Sequence, residues 1–498
     1  MSRSTAPATV QGPLAKVAGT RRVPSAASSG LGGRHTECAC YFRGREPLLP
    51  HRREFLHRWL GVALGGALVP YFSTSRQAKA QSKNDRPKLA AIGLGGQGVG
   101  IARAAMRHAD LVACCDVDRR RAEKFAGDGK AAIYDDFRKL LERPDVDLVT
   151  IATPDHWHAA IAIRAMRSGK DVYCEKPLTL TIEESQAVRQ AVRETGRVLQ
   201  VGTQQRSMPL FLKALALVRS GRLGCLRRAV CAIGAGPRGG PFAEQPPPGG
   251  LNWDLWLGQA PLVPYVEQRC HYNFRWWLEY SGGKLTDWGA HHLDIAQWGL
   301  GHELTGPVRI DGQGFLPSGK NCYNTATTFR VTLTFADGTA IEVRHGPDPG
   351  PWIEPSPLPS SLTCPDPRLA PDNGVWFEGS LGRIFVNRKK LAGRPAEELT
   401  RRDGAWLAEA VRELYRGRTP GDHMADFFDC LRTRAQPISD VFTQHRSVSS
   451  CHLCNIALRL GRPLTWDPAR EDFVGDSQAS ALLGRPQRPG YTLREMVA

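Results

Sequence analysis

Apolar positions repeat along this chain with two different periods in two successive zones. In the first zone, short apolar runs at 88–94, 111–115, 147–152, 171–175 and 197–201 read as buried strands. Helical spacing separates them, as over 157–168 and 182–194. Strands that alternate with helices predict a doubly wound parallel sheet covered on both faces. A helix over 207–219 leads out of this zone. Beyond it the period falls to two at 225–233, 325–335, 339–343, 375–379 and 383–386. Asp337-Gly338 and the turn at Ser380 predict hairpins, hence a mostly antiparallel second sheet. The fold class is therefore α/β with a second, α+β domain. Four tryptophans, Trp253, Trp256, Trp276 and Trp277, read first as core, with sugar stacking as the sharper alternative.

Upstream of these zones the pattern is different. Residues 1–50 show no hydrophobic period and predict a disordered extension. Arg52-Arg53-Glu54-Phe55-Leu56 then precedes an apolar run from Trp59 to Phe72 and a small-x-small site at Ala78-Lys79-Ala80. That layout predicts a twin-arginine export signal over 51–80 and a periplasmic product. The alternative is a buried amphipathic helix that happens to carry two arginines. The run is shorter than the roughly 20 residues of a spanning helix, so no stable membrane anchor is expected. The domain expectation is 86–205 for the parallel-sheet domain, 206–470 for the second domain and 471–498 for a tail without a sustained core pattern. Segment 347–371, rich in proline, reads as a surface insertion or as the rim of a binding site.

Charge changes little in this picture. The net +17 of the 498 residues divides into +9 before residue 81 and +8 after it. The excess therefore belongs largely to the leader, and nucleic acid is not the expected partner. Cysteines are irregularly spaced, which argues against a disulfide framework. Cys451 and Cys454 sit in an apolar helical pattern, as core residues would, and no metal site is expected.

Candidate chemistry begins at Gly93-Leu94-Gly95-Gly96-Gln97-Gly98, between a strand and a helix, with Asp116 closing the next strand. Gly93 allows a tight turn, Gly95 lets backbone approach a pyrophosphate, and Gly98 lets helix pack on strand. The helix start offers unpaired N–H groups to phosphate. Asp116 would accept from a ribose diol. The bland alternative is a structural glycine loop; strand, helix and acid together favour a Rossmann dinucleotide site. Asp116 repels a 2′-phosphate and so favours NAD over NADP, while Arg119 and Arg120 soften that preference.

Ligands bind such a sheet beyond the carboxyl ends of its strands. Thr153, Pro154, His158, Glu175, Lys176 and Gln204 all fall there. Lys176 can hydrogen-bond a substrate oxygen and stabilise alkoxide character; its alternative is an exposed loop lysine. Asp287 and His291 are four apart on one helical face, and Asp294 is placed to orient the His291 ring. A histidine flanked by carboxylates is a tunable base. A zinc site and a capped surface helix are the competing readings. Arg275, His292 and Asp294 are candidate substrate partners.

Taken together, the glycine loop, Asp116, Thr153-Pro154 with His158, Glu175-Lys176-Pro177, Gly202-Thr203-Gln204 and the Asp287/His291 pair resemble the glucose–fructose oxidoreductase, inositol dehydrogenase and MocA family (Gfo/Idh/MocA). The resemblance spans about 86–470. It implies Lys176, Asp287 and His291 as catalytic residues, with His291 as proton acceptor. It also implies an open antiparallel sheet that covers the active site, a homodimer or homotetramer, and a sugar or cyclitol substrate. Export would demand a tightly held cofactor, so a redox-neutral glycosidase or lyase using transient oxidation is the second expectation. A non-catalytic dinucleotide-binding protein is the third.

Overall fold

The computed structural model describes residues 86–127, 129–345 and 373–498. The expected extension, the export signal and the whole Pro-rich segment 347–371 lie outside the described residues.

The first sheet has six parallel strands in the order β3-β2-β1-β4-β5-β6. They are β1 (Lys88–Ile92), β2 (Asp110–Cys115), β3 (Ala132–Tyr134), β4 (Leu148–Ile151), β5 (Asp171–Cys174) and β6 (Leu199–Val201). Every residue of β4, β5 and β6 is buried, as expected of strands covered by helices on both faces. The intervening helices are α1 (Gly96–Met106), α2 (Arg119–Ala126), α3 (Phe137–Leu141), α4 (Asp155–Arg167) and α5 (Ile182–Thr195). Local chemistry bounds them. Thr181 accepts from the Glu184 N–H at the start of α5, and Gly196 closes that helix in the left-handed conformation. Chain order reverses between β1 and β4, so a crevice opens beyond their carboxyl ends.

The second sheet has nine strands in the order β13-β12-β11-β7-β10-β9-β8-β14-β15. They are β7 (Leu226–Ala232), β8 (Arg309–Phe315), β9 (Thr328–Thr334), β10 (Ala340–Arg344), β11 (Gly374–Gly379), β12 (Arg383–Val386), β13 (Leu391–Ala392), β14 (Leu464–Asp467) and β15 (Asp472–Phe473). Only β7 and β10 pair in parallel. In β9 the buried residues Phe329, Val331 and Leu333 alternate with outward ones. They face a core formed with helices α6 (Pro209–Arg219), a helix at Gly289–Gly299 and a helix at Val441–Leu460. The last is buried along most of its length and starts under a cap: Asp440 accepts from the Phe442 and Thr443 N–H groups. Cys451 and Cys454 are buried within it.

The tail departs from expectation. Residues beyond 471 are ordered and packed. Tyr491 donates to Asp254 (2.5 Å), and Arg164 of α4 donates to Met496 O (3.1 Å). This segment straps the short helix α7 (Trp253–Leu257) against α4. Its apolar residues are too sparse to show a period, yet Leu483 and Met496 are buried. Trp253, Trp256, Trp276 and Trp277 are also buried, in one aromatic cluster.

No described helix is long and apolar enough to cross a membrane. Among the described residues, no group of three or more His, Cys, Asp or Glu could hold a metal ion.

Candidate active site

A cleft of about 610 Å³ runs from the glycine loop to the second domain. Its floor at one end is the β1–α1 connection. Gly93 has φ +84°, and a Cβ there would lie 2.6 Å from the Ala152 carbonyl carbon. A Cβ on Gly98 would lie 1.9 Å from Gly93 O, so only glycine lets α1 sit this close to β1. Gly95 caps α1 without a side chain, and the first turn of α1 carries no acid. Its free N–H groups and partial positive charge therefore meet no resident anion.

Asp116 lies beside this loop at the end of β2. Its two oxygens accept from the Leu94 N–H (2.7 Å) and the Asp118 N–H (2.9 Å). Burial raises its carboxyl above the usual range, against those two hydrogen bonds. Thr153 and Pro154 form the wall after β4, where Thr153 Oγ1 is buried with no partner. An orphaned hydroxyl, a helix start with free N–H groups and a carboxylate at the end of the next strand form a donor and acceptor set that fits a dinucleotide.

At the far end the strand after α4 delivers Glu175 and Lys176. Glu175 accepts from Gln97 (3.2 Å) and Gln204 (3.0 Å), which ties the glycine loop to the chain after β6. Lys176 Nζ donates to Asp287 Oδ1 (2.5 Å) and to the Asp287 carbonyl (3.2 Å). Asp287 ends the short helix α8 (Lys284–Asp287), and α9 (Gly289–Gly299) follows one residue later and carries His291. Arg275 Nε stands 3.5 Å from the same Asp287 oxygen. Burial opposes ionisation of Asp287, but Lys176 and Arg275 outweigh it and hold the carboxyl below its usual range. His291 is pushed well below the ordinary imidazole value, first by burial and then by Lys176 and Arg388. It is therefore neutral, and its Nδ1 is buried without a partner. The arrangement brings a cation, a carboxylate and a neutral imidazole to one end of the cleft.

Comparisons with known proteins bear on what this cleft belongs to. A model described as "Oxidoreductase family, NAD-binding Rossmann fold" matches residues 88–203. A second, "Oxidoreductase family, C-terminal alpha/beta domain", matches 240–350 and 407–493. The chain belongs to the Gfo/Idh/MocA oxidoreductase family. Among curated Gfo/Idh/MocA relatives, scyllo-inositol 2-dehydrogenase (NAD(+)) of Bacillus subtilis is 30% identical over 232 residues, 46% of this chain and 57% of the relative. Inositol 2-dehydrogenase 2 of Saccharopolyspora erythraea is 29% identical over 202 residues, 40% and 49% of the two chains. The chain thus spans about half the length of the curated relatives it matches. The solved WlbA dehydrogenase of Bordetella pertussis, a complex with NADH and UDP-GlcNAcA, has the same fold. Its TM-score is 0.53 at 17% identity, over 77% of this chain and 99% of that one.

Several sequence expectations need correction against this Gfo/Idh/MocA geometry. Asp294 does not orient His291 and does not face the cleft. It is fully buried and accepts from Arg206 Nε (2.8 Å) and Nη2 (2.7 Å), Gln444 (2.9 Å) and Ser447 (2.6 Å). His292 is buried too, bonded to Asn373 Oδ1 (2.6 Å) and near Gln205 Oε1 (3.3 Å). His158 lies behind the wall, with its ring nitrogens 2.7 Å from Pro177 O and 2.9 Å from Thr153 O. It fixes the two loops that carry Thr153 and Lys176 and does not line the cleft. Asp287 engages Lys176 and Arg275, with no hydrogen bond to His291. Near Asp116, Arg119 pairs with Glu123 and Arg120 with Asp118; Arg121 is the arginine that lines the cleft. Arg275 does line it.

Sequence reasoning missed Gln97, Asp155, Trp288 and Arg388 as lining residues. Asp155, bonded to Ser281 Oγ (2.5 Å), is pushed up to about 7 by burial. Gln97 lay inside the glycine motif and was there to be found. Arg388 had no local signal.

Proposed function

We propose that this chain is an NAD-dependent dehydrogenase acting on a secondary hydroxyl of a sugar, cyclitol or related derivative. The observation that carries the reading is the junction of two site halves in one cleft. The glycine loop and Asp116 stand at one end, and Lys176, Asp287 and His291 at the other. NAD would supply the hydride acceptor, held by the 93–98 loop, Asp116 and the Thr153 wall. Lys176 donates a hydrogen bond to the reacting oxygen and favours its alkoxide character. His291, neutral and buried, accepts the hydroxyl proton on its imidazole ring. Asp287 holds the Lys176 ammonium in place. Trp157, Trp256 and Phe274 add apolar walls to the cleft.

Two finer points belong to the same proposal. Asp116 favours NAD, while Arg121 offers a 2′-phosphate a partner. Copies of the chain pair as a homodimer or homotetramer after export with cofactor held; light scattering and cell fractionation read these.

The test is a panel of inositols, aldoses and their derivatives, scored by nicotinamide reduction. Lys176→Met is expected to lower kcat by at least about 100-fold. Normal turnover by that variant defeats the assignment. Cleavage of an aryl glycoside with no net change in nicotinamide absorbance would replace it with a redox-neutral reaction.

A further inference from the structure

The end of the cleft that holds His291 carries more positive charge than its chemistry uses. Lys176 and Arg275 share one carboxylate, Asp287. A third cation, Arg388, lines the same end beside Trp288 and His291. Its guanidinium lies 4.9 Å from the Trp288 ring centroid. Among the described residues, no carboxylate stands within ion-pair distance of Arg388. Two other acids line the cleft nearby: Glu175 acts on Arg388 only from beyond ion-pair distance and accepts from Gln97 and Gln204, and Asp155 bonds to Ser281.

Arg388 is also held on purpose-built backbone. It projects from the tight turn between β12 and β13. Asn387 shapes that turn: its N–H donates to Lys390 O (2.9 Å), and its Oδ1 accepts from the N–H groups of Lys389 (2.9 Å) and Lys390 (2.8 Å). Asn387 Nδ2 donates to Asn373 O (3.3 Å), and Asn373 Oδ1 is bonded to His292. A chain of contacts thus runs from the residue after His291 to the turn that carries Arg388. The arginine is exposed at the mouth, so its head is free to meet a ligand.

An unmatched guanidinium at a binding site selects for an anionic oxygen group, because it offers paired donors in a rigid fork. Neutral cyclitols leave it unmatched. We propose that Arg388 is a specificity residue, and that the substrate is a sugar bearing a carboxylate or a phosphate that this arginine receives. The inference rests on the dehydrogenase reading but adds the substrate class to it.

The experiment compares matched ligands on the NAD-saturated, full-length protein: D-glucose with D-glucuronate and D-glucose 6-phosphate, and D-galactose with D-galacturonate. Binding is read calorimetrically and through tryptophan fluorescence, since Trp288 adjoins Arg388. At least one anionic member should bind ten- to 100-fold more tightly than its neutral partner, the scale of a charge-assisted hydrogen bond. The uronate and phosphate arms tell carboxylate from phosphate. Arg388→Gln should reduce the preference to about twofold or less, and Arg388→Lys should restore part of it. Thermal melting of both variants controls for folding.

Equal response of the neutral and anionic partners, including no response to either, overturns the proposal. So does a preference that survives in Arg388→Gln. The parent reading fails separately. If NAD is not bound, that reading is lost, and the same titrations without NAD still decide the role of Arg388. If a neutral polyol is oxidised while both anions are refused, the reading stands and this inference falls.

Discussion

Lys176 acts on both Asp287 and His291 before any substrate arrives. The ammonium stabilises Asp287 as an anion, and its charge adds to burial in holding His291 neutral. A neutral imidazole is ready to accept a proton but is a weak base while those cations stand beside it. The charges bearing on it are Lys176 and Arg388, with His292 and His423 behind. Removing one cation raises the proton affinity of His291. The acid limb of kcat/KM against pH should therefore move to higher pH in Arg388→Gln, and a bound substrate anion should act in the same direction. A pH–rate profile of the two proteins checks this; a limb that moves down contradicts it. At this scale the sequence was readable where contiguous residues make the site. The 93–98 loop and Lys176 are examples. Asp294 misled because i+3 spacing describes only its own helix. Its partners, Arg206, Gln444 and Ser447, come from elements far away in the chain and claim both carboxylate oxygens. Arg388 was invisible for the converse reason: no local pattern marks it, and only the nine-stranded sheet brings its turn to His291.

Helices and strands position these groups, and their own determinants are testable. Gly98→Ala puts a methyl 1.9 Å from Gly93 O, so α1 must move away from β1. The expected result is loss of nucleotide binding together with a fall in stability of about 1–3 kcal/mol, as for overpacking; titration with NAD and chemical denaturation measure the two. Thr181→Ala removes the cap of α5 and should cost about 1 kcal/mol, with little change in nucleotide affinity. The strands β1, β2, β4, β5 and β6 were legible because a strand covered on both faces is largely apolar. β3 has three half-buried residues, and β8 exposes most of its side chains with two glycines among them. Neither carries enough pattern to be read. Helix 441–460 is buried nearly all round, so amphipathic spacing captured only part of it.

Buried polar contacts add to the shared apolar core in tying the helices of the two domains together. Arg206, in the turn after β6 where one domain passes into the other, meets Asp294 on α9 with both side chains at most 1% exposed. Asp294→Ala would leave the guanidinium buried without its anion, at a cost of about 3–5 kcal/mol; urea denaturation reads it directly. Ser185, His445 and Glu471 form a second buried link (2.8 and 3.0 Å). Acid should loosen the assembly. Burial lowers His156 and His292 to about 4 and His452 to about 3, and lowers His291 as well. Unfolded histidines titrate near 6.5, so the unfolded chain binds more protons and stability falls as pH drops below that value. Asp155 and Glu184, both raised to about 7, work the other way. His158, His271, His302, His423 and His445 are lowered too, and Asp116 is raised, so nine histidines against three carboxyls leave the melting temperature rising from pH 5 to pH 7; a flat or falling curve contradicts this balance.

The central claim is that one cleft holds NAD at the glycine loop and transfers a substrate proton to His291 with Lys176 on the reacting oxygen. Single-turnover reduction of the bound nucleotide tests it most directly. Wild-type protein loaded with NAD and mixed with a responding sugar or cyclitol should yield one reduced nicotinamide per site. Lys176→Met, loaded equally, should do so at least about 100-fold more slowly. Reduction at equal rates in the two proteins, or none in the wild type across the panel, would contradict the account.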